Sequence, residues 1–282
     1  MVARLLDGKA CAAHLREATA GRLAALAARG VQVRVGLLQV GADPASSSYV
    51  ASLQRAFDRA GITADLVELP PDAAPAAATA QLDAWAADPA VHGVMLQLPL
   101  PAGWDAEPLI AHVSPAKDLD GVHPYNAGLL FAGRDDGFVP ATALGGLLLL
   151  QREGVELAGV RAVVVGRSAI VGRPMALLLL HQHATVTIAH SRTHDLPALC
   201  READLLAVAV GRAGFVQPDW VRPGATVLDF GTNYADGQLR GDVDPAVAEV
   251  AGALSPTPGG TGAVTTAVLL SNAVLAAERS LR

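Results

Sequence analysis

A chain of 282 residues, half of them apolar, is long enough for one large or two medium domains and can bury an ample core. Its formal charge of −6 and the lack of any Lys/Arg cluster exclude the phosphate-neutralising surfaces that nucleic acid or anionic membranes require, and point to small-molecule partners. Cys11 and Cys200 suggest neither a disulfide framework nor a CxxC metal site, and Asp7, Lys9 and His14 interrupt any signal-like stretch, so a soluble, cytoplasmic protein is expected.

Apolar positions recur at helical spacing from residue 9 to 29, and VRVGLLQVG (33–41) reads as a buried strand. SSSYVASLQRAFDRAGI (46–62) follows as a helix, with serines suited to capping its start and a glycine suited to stopping it. TADLVEL (63–69) is a second strand, an Ala-rich helix covers 73–87, and VHGVMLQLPLP (91–101) is a third strand that breaks at prolines. Alternation of strand and helix implies a parallel sheet with helices on its faces.

FAGRDDGFVP (131–140) is polar and Gly/Asp-rich, which suits a linker, and a helix over 143–153 leads into RAVVVGRSAIVGRP (161–174). ATVTIAH (184–190), ADLLAVAV (203–210) and ATVLDFG (225–231) are further strands at the spacing of a doubly wound sheet. The Gly-rich loop PTPGGTG (256–262) and a helix from about 265 to 281 close the chain.

VVVGRSAIVGRP is a strand, a glycine turn and a helix start, where backbone N–H groups and a positive dipole end can hold a pyrophosphate. Gly166 and Gly172 frame the turn, with Ser168 where a middle glycine is common, one residue longer than G-x-G-x-x-G; an ordinary strand-to-helix turn would read the same. After the next strand, AHSRT offers His190, Ser191 and Arg192 where an NAD site presents a carboxylate, and Arg167 adds a second cation. These charges favour a 2′-phosphate and hence NADP, against the plainer reading of solvated loop residues.

Gln97 is one amide inside an apolar strand, and must find a hydrogen-bond partner or a ligand. Lys117, Asp118 and Asp120 lie just beyond it, where open α/β sheets keep their ligands, though turn-stabilising aspartates would look alike. PTPGGTG lets backbone amides approach a planar ligand closely, as a purely structural loop also would. His181 and His183 have no third ligand at sensible spacing, so no metal site is expected.

In order along the chain, LLDGKACAAHLR, GADPASSSYV, GVMLQLPLP, PAKDLDGVHPYNAG, GRSAIVGRP, GDVD and PTPGGTG resemble the bifunctional methylenetetrahydrofolate dehydrogenase/methenyltetrahydrofolate cyclohydrolase family. The resemblance implies a two-domain α/β protein. Its N-terminal folate domain would be residues 1–138, completed by the C-terminal helix 265–282 packing back on it, and its Rossmann NADP-binding domain 139–264. A folate cleft would lie between them, and the protein would be a homodimer using NADP and a tetrahydrofolate one-carbon carrier.

Carried over by motif, Tyr49 would lie against the folate rings, Gln97 would line the reacting one-carbon centre and Asp120 would hydrogen-bond the pterin. Leu98, Pro99, Pro258, Gly259, Gly260 and Gly262 would border the substrate. Thr142, Gly166, Arg167, Ser168, Ile170, Gly172, Ser191 and Arg192 would hold the cofactor.

The family's Y-V-x-x-K places its lysine on Leu53, P-C-T-P is Pro140, Ala141, Thr142 and Ala143, and the proline after the PGGxG loop is Ala263. That lysine is the proton-handling group of the cyclohydrolase step. Arg55 is a poor stand-in, because it lies on another helix face and its guanidinium does not deprotonate. The expected activity is therefore an NADP-linked methylenetetrahydrofolate dehydrogenase with weak or absent cyclohydrolase activity. The alternatives are a relative recruited to another pathway or substrate, and a catalytically silent folate- or NADP-binding protein.

Overall fold

The computed structural model describes residues 2–41, 43–235 and 237–281. In chain order the elements are β1 (Arg4–Leu5), α1 (Gly8–Ala28), β2 (Arg34–Val40), α2 (Pro44–Ala60), β3 (Thr63–Leu69), α3 (Pro75–Ala87), β4 (Gly93–Leu96), α4 (Ala106–Ile110) and α5 (Pro124–Phe131). They continue with α6 (Ala141–Arg152), β5 (Arg161–Val165), α7 (Gly172–His181), β6 (Thr185–Ala189), α8 (Leu196–Arg201), β7 (Leu205–Val208) and β8 (Thr226–Asp229). The last elements are β9 (Asn233–Ala235), β10 (Gln238–Arg240), β11 (Ala253–Leu254) and α9 (Thr261–Ser280).

The chain divides into two packed units, one of Leu15–Val139 with the stretch from Leu269 onward, the other of the stretch up to His14 with Pro140–Val268. The stretch up to His14 groups with the second unit rather than with the expected N-terminal domain 1–138, because Arg4 and Leu5 pair with Ala253 and Leu254 and join the second unit's sheet. Neither β1 nor β11 is long enough to leave a periodic signal.

In the first unit a parallel sheet runs β3-β2-β4, with Leu38, Val94 and Leu96 facing Ala78, Leu82 and Trp85 of α3. Gly36 has no side chain where the Trp85 ring lies, so the indole packs directly on the central strand. Each such buried aromatic or aliphatic side chain contributes about 2 kcal/mol. On the other face Leu119 packs against Gly93, and Asn272 of α9 donates to its carbonyl at 2.7 Å. Arg22 grips Glu278 through two bonds of 3.0 and 2.7 Å, and Arg279 lies over the Phe138 ring at 4.8 Å. The segment 131–140 is accordingly more than a linker: Phe138 is buried, and its N–H donates to Asn126.

In the second unit six strands run parallel in the order β1-β11-β8-β7-β5-β6 around an apolar core that includes Val163, Val165, Leu206, Val208 and Val227. The chain leaves β5 for β6 on one side and later reaches β7 on the other, so the carboxyl end of β5 is a topological switch point. α9 is apolar and long enough to match a membrane span in composition, yet two-thirds of that stretch is buried within the fold, as in a core helix.

Candidate functional site

Helix α2 starts earlier than the serine run suggests. Asp43 caps it by accepting from Ser46 N–H at 2.9 Å, Pro44 occupies its first turn, and Gly61 ends it in the left-handed region at φ 79°. Val50, Leu53 and Phe57 form its buried stripe, and Leu53 is only 1% exposed. Tyr49, one turn before Leu53, is half-buried; burial and the nearby charge of Asp120 push its phenol well above the usual range, so it remains a neutral donor. Arg55 is exposed.

Parallel pairing of β2 with β4 matches Leu38 to Leu96, so Gln39 and Gln97 are neighbours at the carboxyl ends of adjacent strands. Gln97 is buried; its Nε2 donates to Leu98 O at 2.5 Å while its Oε1 has no hydrogen-bond partner among the described residues. Both glutamines line a cavity of about 340 Å³ with Gly41, Asp43, Pro99 and Pro101. Tyr49 and Asp120 do not line this cavity.

Lys117 and Asp118 are structural. Lys117 Nζ donates to the carbonyls of Trp85, Ala86 and Asp88 at 2.7 to 3.0 Å, closing the C-terminal end of α3 where the helix dipole favours a cation. Asp118 is buried and accepts from Val122 N–H, His123 N–H and Asn126 Nδ2, which folds the turn that follows. Burial raises its carboxyl above the ordinary range, against the lowering effect of those bonds. Asp120, two residues on, is half-buried.

In the nucleotide unit, Gly166 has φ 131°, and a side chain on it would strike Ala209 O; one on Gly172 would strike Gly166 O. The turn is thus closed tightly enough that only glycine fits at either end. Ser168 Oγ accepts from Val171 N–H at 3.1 Å and Gly172 N–H at 3.3 Å, so two amides expected to face a phosphate are already bonded. A hydroxyl that accepts these bonds still has its own O–H to donate outward. Arg167, Ser168, Ile170, Ser191 and Arg192 are all exposed, and Thr142 is half-buried in the first turn of α6. His190 shapes the AHSRT loop: its ring Nδ1 accepts from Arg192 backbone N–H at 3.2 Å and its backbone N–H donates to Thr193 Oγ1 at 2.9 Å.

Gly260 packs against Pro256 and Ser255, and a side chain on Gly8 would strike Gly260 O, so the PTPGGTG loop holds the start of α1. Gly262 faces open space, and Pro258 is exposed. The expected site residues thus divide: Tyr49, Gln97, Leu98, Pro99 and Asp120 belong to the first unit, the glycine loop and the nucleotide-turn residues to the second.

Three residues beyond the expected set shape these regions. Gln39 carried the same sequence signal as Gln97, an amide in an apolar strand. Asp242, within GDVD, accepts from Val210, Gly211 and Arg212 N–H groups at 2.6 to 2.9 Å and fixes the loop after β7, beside the Gly166 turn. Asp229 accepts from Gly231, Asp242 and Val243 N–H groups, and burial, opposed by these bonds and reinforced by Asp242, pushes its carboxyl up to about 6. Among the described residues no group of three or more His, Cys, Asp or Glu could hold a metal ion.

A two-unit α/β chain with a glycine turn at a switch point and an amide-lined cavity beside its other sheet has the make-up of a nucleotide-linked enzyme acting on a small molecule. Residues 6–120 match the tetrahydrofolate dehydrogenase/cyclohydrolase catalytic domain and residues 140–281 its NAD(P)-binding domain, and the chain belongs to that family. It is 50% identical over 284 residues to the bifunctional protein FolD of Chloroflexus aurantiacus, covering 100% of this chain and 99% of that one. The solved FolD of Campylobacter jejuni superposes with a TM-score of 0.94 at 38% identity, covering 98% of each chain. That of Trypanosoma brucei, complexed with NADP cofactor and inhibitor, does so at 0.94 and 33% identity, covering 100% of this chain and 99% of that one.

Proposed function

We propose that the protein is an NADP-dependent 5,10-methylenetetrahydrofolate dehydrogenase of one-carbon metabolism whose 5,10-methenyltetrahydrofolate cyclohydrolase activity is weak or absent. The observation that carries this reading is Leu53, a fully buried core side chain where the family has its proton-handling lysine. Hydride transfer depends on holding two carbons in near-attack contact, whereas hydration of the methenyl product requires activated water. Two nearby cations in the sequence are poor substitutes: Lys117 is committed to three carbonyls of α3, and Arg55 is exposed and cannot give up its proton at neutral pH. Gln97 has no titratable proton, and Tyr49 is held neutral.

The residues of the second unit suit a dinucleotide phosphate. Gly166 and Gly172 let the strand-to-helix turn close tightly at the start of α7, Ser168 keeps an O–H to donate, and exposed Arg167 and Arg192 supply the positive charge a 2′-phosphate requires. NADP, when bound, supplies the hydride acceptor. In this reading Tyr49 packs against the folate, Gln97 orients the one-carbon centre, and Asp120 takes a pterin hydrogen bond. Leu98, Pro99 and the 258–262 loop border the substrate, while Thr142, Ile170 and Ser191 complete the cofactor site. The working form is a homodimer in the cytoplasm, as the family resemblance implies, and light scattering reads the dimer. Protein given methylenetetrahydrofolate and NADP should produce NADPH and accumulate methenyltetrahydrofolate; NADPH without methenyl accumulation would contradict the reading.

A further inference from the structure

Gln39 is 1% exposed, and its amide orientation is set: Nε2 donates to Gly41 O at 3.0 Å and to Ser47 Oγ at 2.7 Å. That leaves Oε1 buried without a partner among the described residues, the same condition as Gln97 Oε1. The β2/β4 register places the two residues side by side, on strands about 4.8 Å apart, with both side chains on the sheet face opposite the Leu38/Leu96 core. A buried acceptor left without a partner is costly, and here two such residues line one cavity. A volume of about 340 Å³ is within the range of small-molecule sites.

The lining adds a chemical preference. Two amides and the Asp43 carboxylate supply acceptor oxygens, Ser46 adds a hydroxyl, Val40, Pro71, Pro99, Leu100 and Pro101 supply apolar walls, and no cationic side chain is among the described lining residues. Such a site rejects an anionic group and takes a flat, uncharged group carrying N–H donors. A folate has such donors on its pterin ring, whereas its glutamate tail is anionic.

We propose that Gln39 is a substrate-positioning residue, which together with Gln97 accepts hydrogen bonds from N–H groups of the bound pterin. This rests on the folate reading above. The test is Gln39→Met, which keeps the volume and removes the acceptor together with the two donor bonds, with Gln39→Leu as a second variant should the first fail to fold, and Ser47→Ala as a control that breaks one donor bond and keeps the acceptor. KM for methylenetetrahydrofolate and the calorimetric Kd for tetrahydrofolate should both rise about tenfold, the scale of one lost hydrogen bond to a bound ligand, with KM for NADP unchanged. An unchanged folate KM and Kd, with only a shifted Tm, would mean the amide is satisfied by water and would overturn the proposal while leaving the activity intact. If the wild-type protein binds tetrahydrofolate without turning over methylenetetrahydrofolate, the activity reading fails and the Kd comparison still decides the role of Gln39. Absence of any folate binding overturns both.

Discussion

The carboxyl ends of β2 and β4 and the carboxyl end of β5 are equivalent places in two parallel sheets, but they satisfy polar groups in opposite ways. At the first, two buried amides that line a cavity leave acceptor oxygens without partners among the described residues. At the second, the backbone is bonded to itself through Ser168 and buttressed by Asp242, and the charged groups stand in solvent. In the proposed reading the first place holds a flat neutral group by shape and a few hydrogen bonds, and the second holds phosphate by backbone proximity and charge. Tolerance of substitution should differ accordingly.

The largest effect is expected at the nucleotide turn. Gly172→Val puts a side chain into Gly166 O and Arg167 N, and should cost about 3 kcal/mol or more of stability with loss of NADP binding, read by thermal melts and cofactor titration. Next is a charge buried beneath that same unit. Asp229, with its carboxyl pushed up to about 6, holds its proton more tightly in the folded protein than in the unfolded chain. Its ionisation therefore subtracts stability above that pH, and the deficit closes as pH falls towards the ordinary carboxylate value. Wild type should gain about 2–3 kcal/mol relative to Asp229→Asn between about pH 8 and pH 4, measured by urea denaturation; parallel curves would contradict the assignment.

In the first unit the informative change is a gain. Leu53→Lys should raise methenyltetrahydrofolate hydrolysis by about a hundredfold, the lower end of the range for a placed proton-transfer group, while lowering Tm because a buried cation is costly. Smallest is Arg192→Gln, whose exposed guanidinium should contribute about 1 kcal/mol, a roughly fivefold fall in the preference for NADP over NAD. An unchanged ratio would place the 2′-phosphate elsewhere.

Much of this was legible in the sequence because each unit repeats strong local patterns: Arg34–Val40 is uniformly apolar but for one amide and its starting arginine, and the Gly166–Gly172 turn follows an unbroken apolar strand. What escaped was set by long-range pairing. The two-residue strand Arg4–Leu5 exists only because Ala253–Leu254 lies alongside, and Asp43 outcompetes the serines as a cap because Pro44 pre-sets the first turn. Gln39 was visible as a residue type, but its significance needed the β2/β4 register and the donors that occupy one side of its amide. Lys117 and Asp118 showed the reverse, since charged residues beside an expected site proved to hold helix and turn together.

The central claim is that losing the lysine position to a packed leucine separates hydride transfer from hydration. Methenyltetrahydrofolate incubated with the purified protein tests it most directly, with its absorbance followed against a protein-free control. Decay at the spontaneous rate, from a preparation that reduces NADP with methylenetetrahydrofolate, is the predicted result. Decay strongly accelerated in proportion to protein would contradict the account.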